Sequence, residues 1–157
     1  MSDRELVARP RAPYAGRRFS EFSVGDRFGD DVLVTESHLA DGARLIGDHN
    51  PLHVDAGFAA RSRFGGTILH GVLTSALMSA PFGNLVAGTA IGYLEHDARF
   101  LAPVRAGDTL RITWTVVDVL PKPAHRGGIV VAECEARNQH GVLVATAVGK
   151  MMVGEGG

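Results

Sequence analysis

The segment Gly47-Asp48-His49-Asn50-Pro51-Leu52-His53 sets a carboxylate and an imidazole five residues apart. On a continuous helix Asp48 and His53 would differ by about 140° and could not face one point, given 3.6 residues per turn. Asn50-Pro51 breaks such a helix, because proline fixes its own φ and drives the residue before it out of the α region. Asparagine also tolerates unusual backbone regions. The chain can then turn so that both side chains converge. A converged acid–base pair can hold a water and exchange protons with a substrate. Two plainer readings stand beside this one. Asp-His-Asn-Pro is a good turn sequence, in which Asp48 only caps the turn. His49 and His53 have the i, i+4 spacing of a zinc-protease helix, but that motif needs a continuous helix and a glutamate after the first histidine. Asn50 and Pro51 stand in its place.

A second chemical element is His70-Gly71. It opens the most apolar stretch of the chain. The first N–H groups of a helix lack internal partners, and the helix dipole is positive there. Gly71 has no side chain, so a carbonyl oxygen can approach its N–H closely, as an oxyanion site for a thioester requires. The plain reading of Gly71 is a tight connection, and of His70 a hydrogen-bonding residue at a helix start. Ser79 lies roughly two turns on, at 3.6 residues per turn. A buried serine usually bonds a backbone carbonyl one turn earlier.

These residues need elements to hold them. Residues 27–35 read as a strand, and Thr35 caps a helix over 36–46 with Leu39, Ala43 and Ile46 at helical spacing. Asn50-Pro51 is expected to end that helix. Asp55 caps a short helix over 56–61. Residues 71–87 leave almost no polar face, which predicts a helix buried on all sides. Pro81 is expected to kink or end it. Segments 90–101, 108–120, 127–138 and 142–153 are long and β-branched, with short links between them. Short links predict antiparallel pairing of consecutive strands. A strongly curved sheet wrapped around one apolar helix satisfies both patterns, an α+β arrangement of the hotdog type. Its free sheet edge invites a second chain, so a homodimer or a higher even oligomer is expected. Residues 1–20, with Arg4, Arg9, Arg11, Arg17 and Arg18, read as an N-terminal arm, and 21–157 as the domain.

Composition closes several other routes. The chain has 157 residues, 45% hydrophobic, with formal net charge −1. That is one domain with a real core, burying roughly 70% of the surface exposed when unfolded. Near-zero charge gives no global pull toward nucleic acid or an acidic membrane. A single cysteine, Cys134, excludes an internal disulfide and a Cys-rich zinc site. The first twenty residues hold no apolar run, so no signal peptide is expected and the cytoplasm is the expected compartment. Interruptions at His70, Gly71, Pro81 and Asn84 make the apolar stretch a poor membrane span.

The run from Gly47 through Asp55, then Phe58-Ala59-Ala60, then His70-Gly71, closely resembles the MaoC-like (R)-specific enoyl-CoA hydratases, across roughly residues 20–153. The resemblance implies a single hotdog domain that reversibly hydrates a trans-2-enoyl-CoA to a (R)-3-hydroxyacyl-CoA. It implies that Asp48 and His53 activate the water and deliver the proton, that Asn50 orients the loop, and that the Gly71 N–H polarises the thioester carbonyl. Ser79 matches the family's serine on the central helix, and Ser79 and His70 join Gly71 as candidates for the oxyanion or substrate-binding site. It implies no metal and no redox cofactor, CoA being part of the substrate, and an acyl tunnel near a dimer interface. Lysine occurs only at Lys122 and Lys150 among sixteen basic residues, so any contact to CoA phosphates falls to arginine, with Arg61, Arg63 and Arg99 as candidates on charge alone. Two other functions remain open: a hotdog thioesterase, against which residues 72–80 carry no carboxylate, and a non-catalytic acyl-CoA-binding module.

Overall fold

A computed structural model describes residues 5–7 and 14–156. Arg4, Arg9 and Arg11 of the N-terminal arm lie outside the described residues. The strands are β1 (Glu5–Val7), β2 (Arg27–Leu33), β3 (Ala90–Phe100), β4 (Thr109–Lys122), β5 (Gly127–Arg137) and β6 (Leu143–Gly154). Between β2 and β3 come the helices α1 (Glu36–Ile46), α2 (Pro51–Val54), α3 (Ala56–Arg61) and α4 (Gly71–Leu85). The strands form one sheet in the order β1-β2-β4-β5-β6-β3. β1 runs parallel to β2, and the other neighbours are antiparallel.

Period-two alternation decides which sheet face is dry. On β4, Leu110, Ile112, Trp114 and Val116 are buried; on β5, Val130, Ala132, Cys134 and Ala136 are. That face receives α4. Met78 and Phe82 of α4 are fully buried, and Phe82 packs against Phe28 and Trp114 with ring centroids 5.1 and 5.3 Å away. The indole N–H of Trp114 donates to the Met78 carbonyl at 2.8 Å, so the largest core side chain leaves no polar atom unpaired.

Several expectations change here. The strands do not all pair in sequence. β3 pairs with β6, not with β4, whose other neighbour is β2. The Pro103–Gly107 link, which reads as a hairpin turn, is a crossover instead. Val104 carbonyl accepts the Leu69 N–H at 2.7 Å and Gly107 N–H reaches the Val34 carbonyl at 2.8 Å, so loops from the first half of the chain hold the link. α1 ends at Ile46 through Gly47, whose φ of +76° suits a residue without Cβ. Pro51 does not end a helix; it starts α2, where its missing N–H is no loss. Pro81 sits inside α4 without ending it.

The all-round burial expected for α4 also fails for the single chain. Thr74, Met78, Pro81, Phe82 and Leu85 are buried, but Val72 is 60% exposed and Ala76, Ala80 and Gly83 face outward. The sheet covers one flank only. Residues 16 and 17 pack on the domain: Gly16 N–H donates to Ala87, Arg17 N–H to Leu85, and the Arg17 guanidinium pairs with the largely buried Asp26 carboxylate at 3.0 Å. Among the described residues, no helix is long and apolar enough to cross a membrane.

Candidate active site

The 47–53 segment is built by three local devices. Gly47 turns the chain out of α1. Asp48 Oδ1 then accepts the Asn50 N–H at 3.0 Å, and Asn50 Oδ1 caps α2 by accepting the Leu52 N–H at 3.1 Å. Asp48 does cap its turn, with one oxygen only. Its Oδ2 stands 3.9 Å from His53 Nε2. Asn50 occupies the loop-orienting position through its own hydrogen bond and through its carbonyl, which accepts the His53 N–H at 2.9 Å.

The second element is tied to the first. His53 Nδ1 donates to the Ile68 carbonyl at 2.8 Å, and Ile68 N–H donates back to Leu52 at 3.1 Å. A carbonyl only accepts, so the Nδ1 of His53 carries a proton. In the neutral ring, Nε2 is then a lone pair aimed toward Asp48. His70 is 1% exposed. Its Nε2–H donates to the Asp48 carbonyl at 2.9 Å, and its ring stacks on His53 with centroids 3.7 Å apart and planes at 26°. In the sequence His70 is marked only as a residue at a helix start, without a visible partner. The stack could not be read from spacing, because it depends on how the 62–70 loop returns to α2.

Gly71 follows as the first residue of α4. The His70 carbonyl takes the Leu73 and Thr74 N–H groups, while the Gly71 N–H has no acceptor among the described residues. A Cβ on Gly71 would lie 3.1 Å from the Phe100 ring, so glycine lets β3 close on the helix start. Phe100 is half-exposed and is a wall of the site that sequence spacing gave no hint of.

The remaining candidates fall elsewhere. Ser79 Oγ donates to the Ala76 carbonyl at 2.7 Å, its plain reading. His49 is exposed on the 47–50 linker and is outside the Asp48, His53 and His70 group. Arg61 and Arg63 are exposed at the end of α3, with Arg63 over the Phe64 ring at 5.7 Å. Arg99 alternates with Ala98 and Phe100 on β3, which puts it on the sheet face away from α4. Arg105, not singled out by the sequence, donates to the Phe64 carbonyl and holds the 62–66 loop.

Asp48, His53 and His70 each bring one potential ligand atom within 4.8 Å of the others. To hold an ion there, the two histidine rings would have to turn. An ion bonds about 2 Å from a histidine nitrogen and in the ring plane. Two rings stacked at 3.7 Å with a 26° tilt do not bring their planes together at that distance. The arrangement also suits proton handling: a half-exposed carboxylate, an imidazole whose Nε2 faces it, and beside them a helix N–H with no acceptor among the described residues.

One central helix against a curved antiparallel sheet, with this site at the helix start, defines a hotdog-fold protein. Residues 25–138 match the MaoC like domain, and the chain belongs to that family. The 3-hydroxybutyryl-CoA dehydratase of Methylorubrum extorquens is 36% identical over 89 residues, 57% of this chain and 57% of that protein. The (R)-specific enoyl-CoA hydratase of Rhodospirillum rubrum is 36% identical over 104 residues, 66% of this chain and 72% of that protein. Among solved structures, the unliganded R-hydratase of Pseudomonas aeruginosa superposes with a TM-score of 0.78 at 32% identity, covering 88% of this chain and 86% of that one. All these names describe hydro-lyases. The matched stretch thus spans little more than half of the dehydratase.

Proposed function

We propose that this chain adds water reversibly to a trans-2-enoyl-CoA thioester, giving a (R)-3-hydroxyacyl-CoA. The observation that carries this reading is the 3.9 Å gap between Asp48 Oδ2 and His53 Nε2. It is too long for a direct hydrogen bond and fits one water bound to both groups. The water oxygen bonds to C3. The pair takes one proton from the water and returns one to C2, so hydration needs no net proton, no redox cofactor and no metal. As C3 is attacked, enolate charge gathers on the thioester oxygen, and the unpaired Gly71 N–H at the positive end of α4 stabilises it. Family membership supports the same chemistry.

The remaining parts of the reading are proposals of the same kind. Arg61 and Arg63 are offered for the CoA phosphates, being exposed at the end of α3 and just after it; Arg99 lies on the sheet face away from α4. A homodimer is supported by the edge strand β3, with Ile91 and Leu94 more than half exposed, and by the outward apolar flank of α4. Light scattering of the purified chain tests it: a monomer mass contradicts it. With an acyl-CoA as substrate, a role in fatty acyl-CoA metabolism is part of the same proposal.

The testing experiment is a panel of trans-2-enoyl-CoA esters followed by loss of enoyl-thioester absorbance, with chiral analysis of the product. Formation of the (R)-3-hydroxy ester is expected. Thiol release instead of hydration would make the chain a thioesterase, and binding without turnover across the panel would make it a binding module.

A further inference from the structure

We propose that His70 is a positioning residue that holds Asp48, His53 and Gly71 in one frame; the inference rests on the hydratase reading. Its side chain makes two contacts and its backbone a third. The Nε2–H bond to the Asp48 carbonyl fixes the backbone of a residue that sits on an exposed linker. The ring face stacks on His53, whose edge is already held by the Ile68 carbonyl, so His53 can neither tilt nor swing away from Asp48. The His70 carbonyl receives the Leu73 and Thr74 N–H groups, so the same residue moves with the start of α4 and with Gly71.

A purely structural role explains His70 poorly. Its side chain makes no capping bond to α4, although it occupies the cap position. Its Nδ1 is buried with no partner among the described residues. With the proton on Nε2, that nitrogen is an unpaired acceptor, which costs stability. A side chain present only to start a helix would be better served by serine or aspartate. What the imidazole supplies is a donor on one edge and a flat face at once.

The experiment compares wild type with His70→Ala, His70→Gln and His70→Phe, measuring kcat and KM for enoyl-CoA hydration beside thermal melts. Glutamine keeps a donor near the Nε2 position, and phenylalanine keeps only the flat face. His70→Ala is expected to lower kcat by about 10- to 100-fold, as expected for misplaced reacting groups. KM should stay within about threefold, because no contact to substrate is lost. His70→Gln should recover most of kcat and His70→Phe little, since the carbonyl bond sets the Asp48 position. If His70→Ala is unstable, the folded Gln and Phe variants still decide. Kcat within twofold of wild type in folded His70→Phe, or no recovery in folded His70→Gln, overturns the inference while leaving the hydratase reading intact. A wild type that hydrates no ester of the panel overturns both.

Discussion

The Asp48 carboxylate and the His53 imidazole face each other across 3.9 Å, with each group's second polar atom already bound to the backbone. Asp48 Oδ1 is held by Asn50 and His53 Nδ1 by Ile68. Oδ2 and Nε2 are the two atoms to which the proposed hydration assigns the reacting water.

Asp48→Asn keeps an oxygen for the Asn50 N–H and removes the charge. The fold should persist, with a melting temperature close to wild type. Hydration should fall by about 10²- to 10⁴-fold, the usual loss for a positioned acid or base. Steady-state rates with an enoyl-CoA check this.

His53→Asn retains a donor near the Nδ1 position and can still bond the Ile68 carbonyl. His53→Ala cannot. Both should lose hydration, but Ala alone should also lose about 1–3 kcal/mol of stability through the unpaired carbonyl. Urea unfolding of the two variants separates the roles of the two ring nitrogens.

Gly71→Ala brings a methyl to 3.1 Å from the Phe100 ring. The ring has to give way, or the carbonyl has to bind farther from the N–H. A fall in kcat of up to about 10²-fold is expected, as for a weakened oxyanion donor. Phe100→Leu in the same chain should restore part of it.

How far the site could be read from the sequence follows from its geometry. The Asp48-Asn50-Pro51-His53 turn is local, so spacing and proline stereochemistry disclose it. The capped starts of α1 and α3 are local in the same way. What spacing could not disclose is contact made through return of the chain: His70 on His53, Phe100 on Gly71, and β2 between β1 and β4. The crossover at 101–108 reads as a hairpin because Pro103 and Gly107 are turn residues in either case. The exposed flank of α4 is not legible in the sequence, because a helix apolar all round carries no mark of which side its own sheet covers.

His96 offers a pH test remote from the site. Burial lowers its pKa from 6.5, and Asp97 offsets this in part. Its Nδ1 bonds the Tyr93 hydroxyl at 2.5 Å, and Nε2 is buried with no partner among the described residues. A depressed folded pKa means that the unfolded chain binds more protons as pH falls below 6.5. Its contribution is therefore present above that pH and is lost on acidification. The melting temperature should drop between pH 7.5 and pH 5, and by less in His96→Asn.

Cys134 should be inert in the folded protein. Burial, with Glu135 adding to it, pushes its thiol well above the ordinary range, and it lies on the dry face of β5. A chromogenic thiol reagent should react only once urea unfolds the chain. Rapid reaction in native buffer would contradict that placement.

The most direct test of the shared water is a double-mutant cycle in kcat for hydration. Wild type, Asp48→Asn, His53→Asn and the double variant are compared on one enoyl-CoA. Two groups acting on the same water fail together, so the double variant should be no slower than the slower single variant. Losses that multiply, or a single variant that keeps the wild-type rate while folded, would contradict a pair that works as one unit.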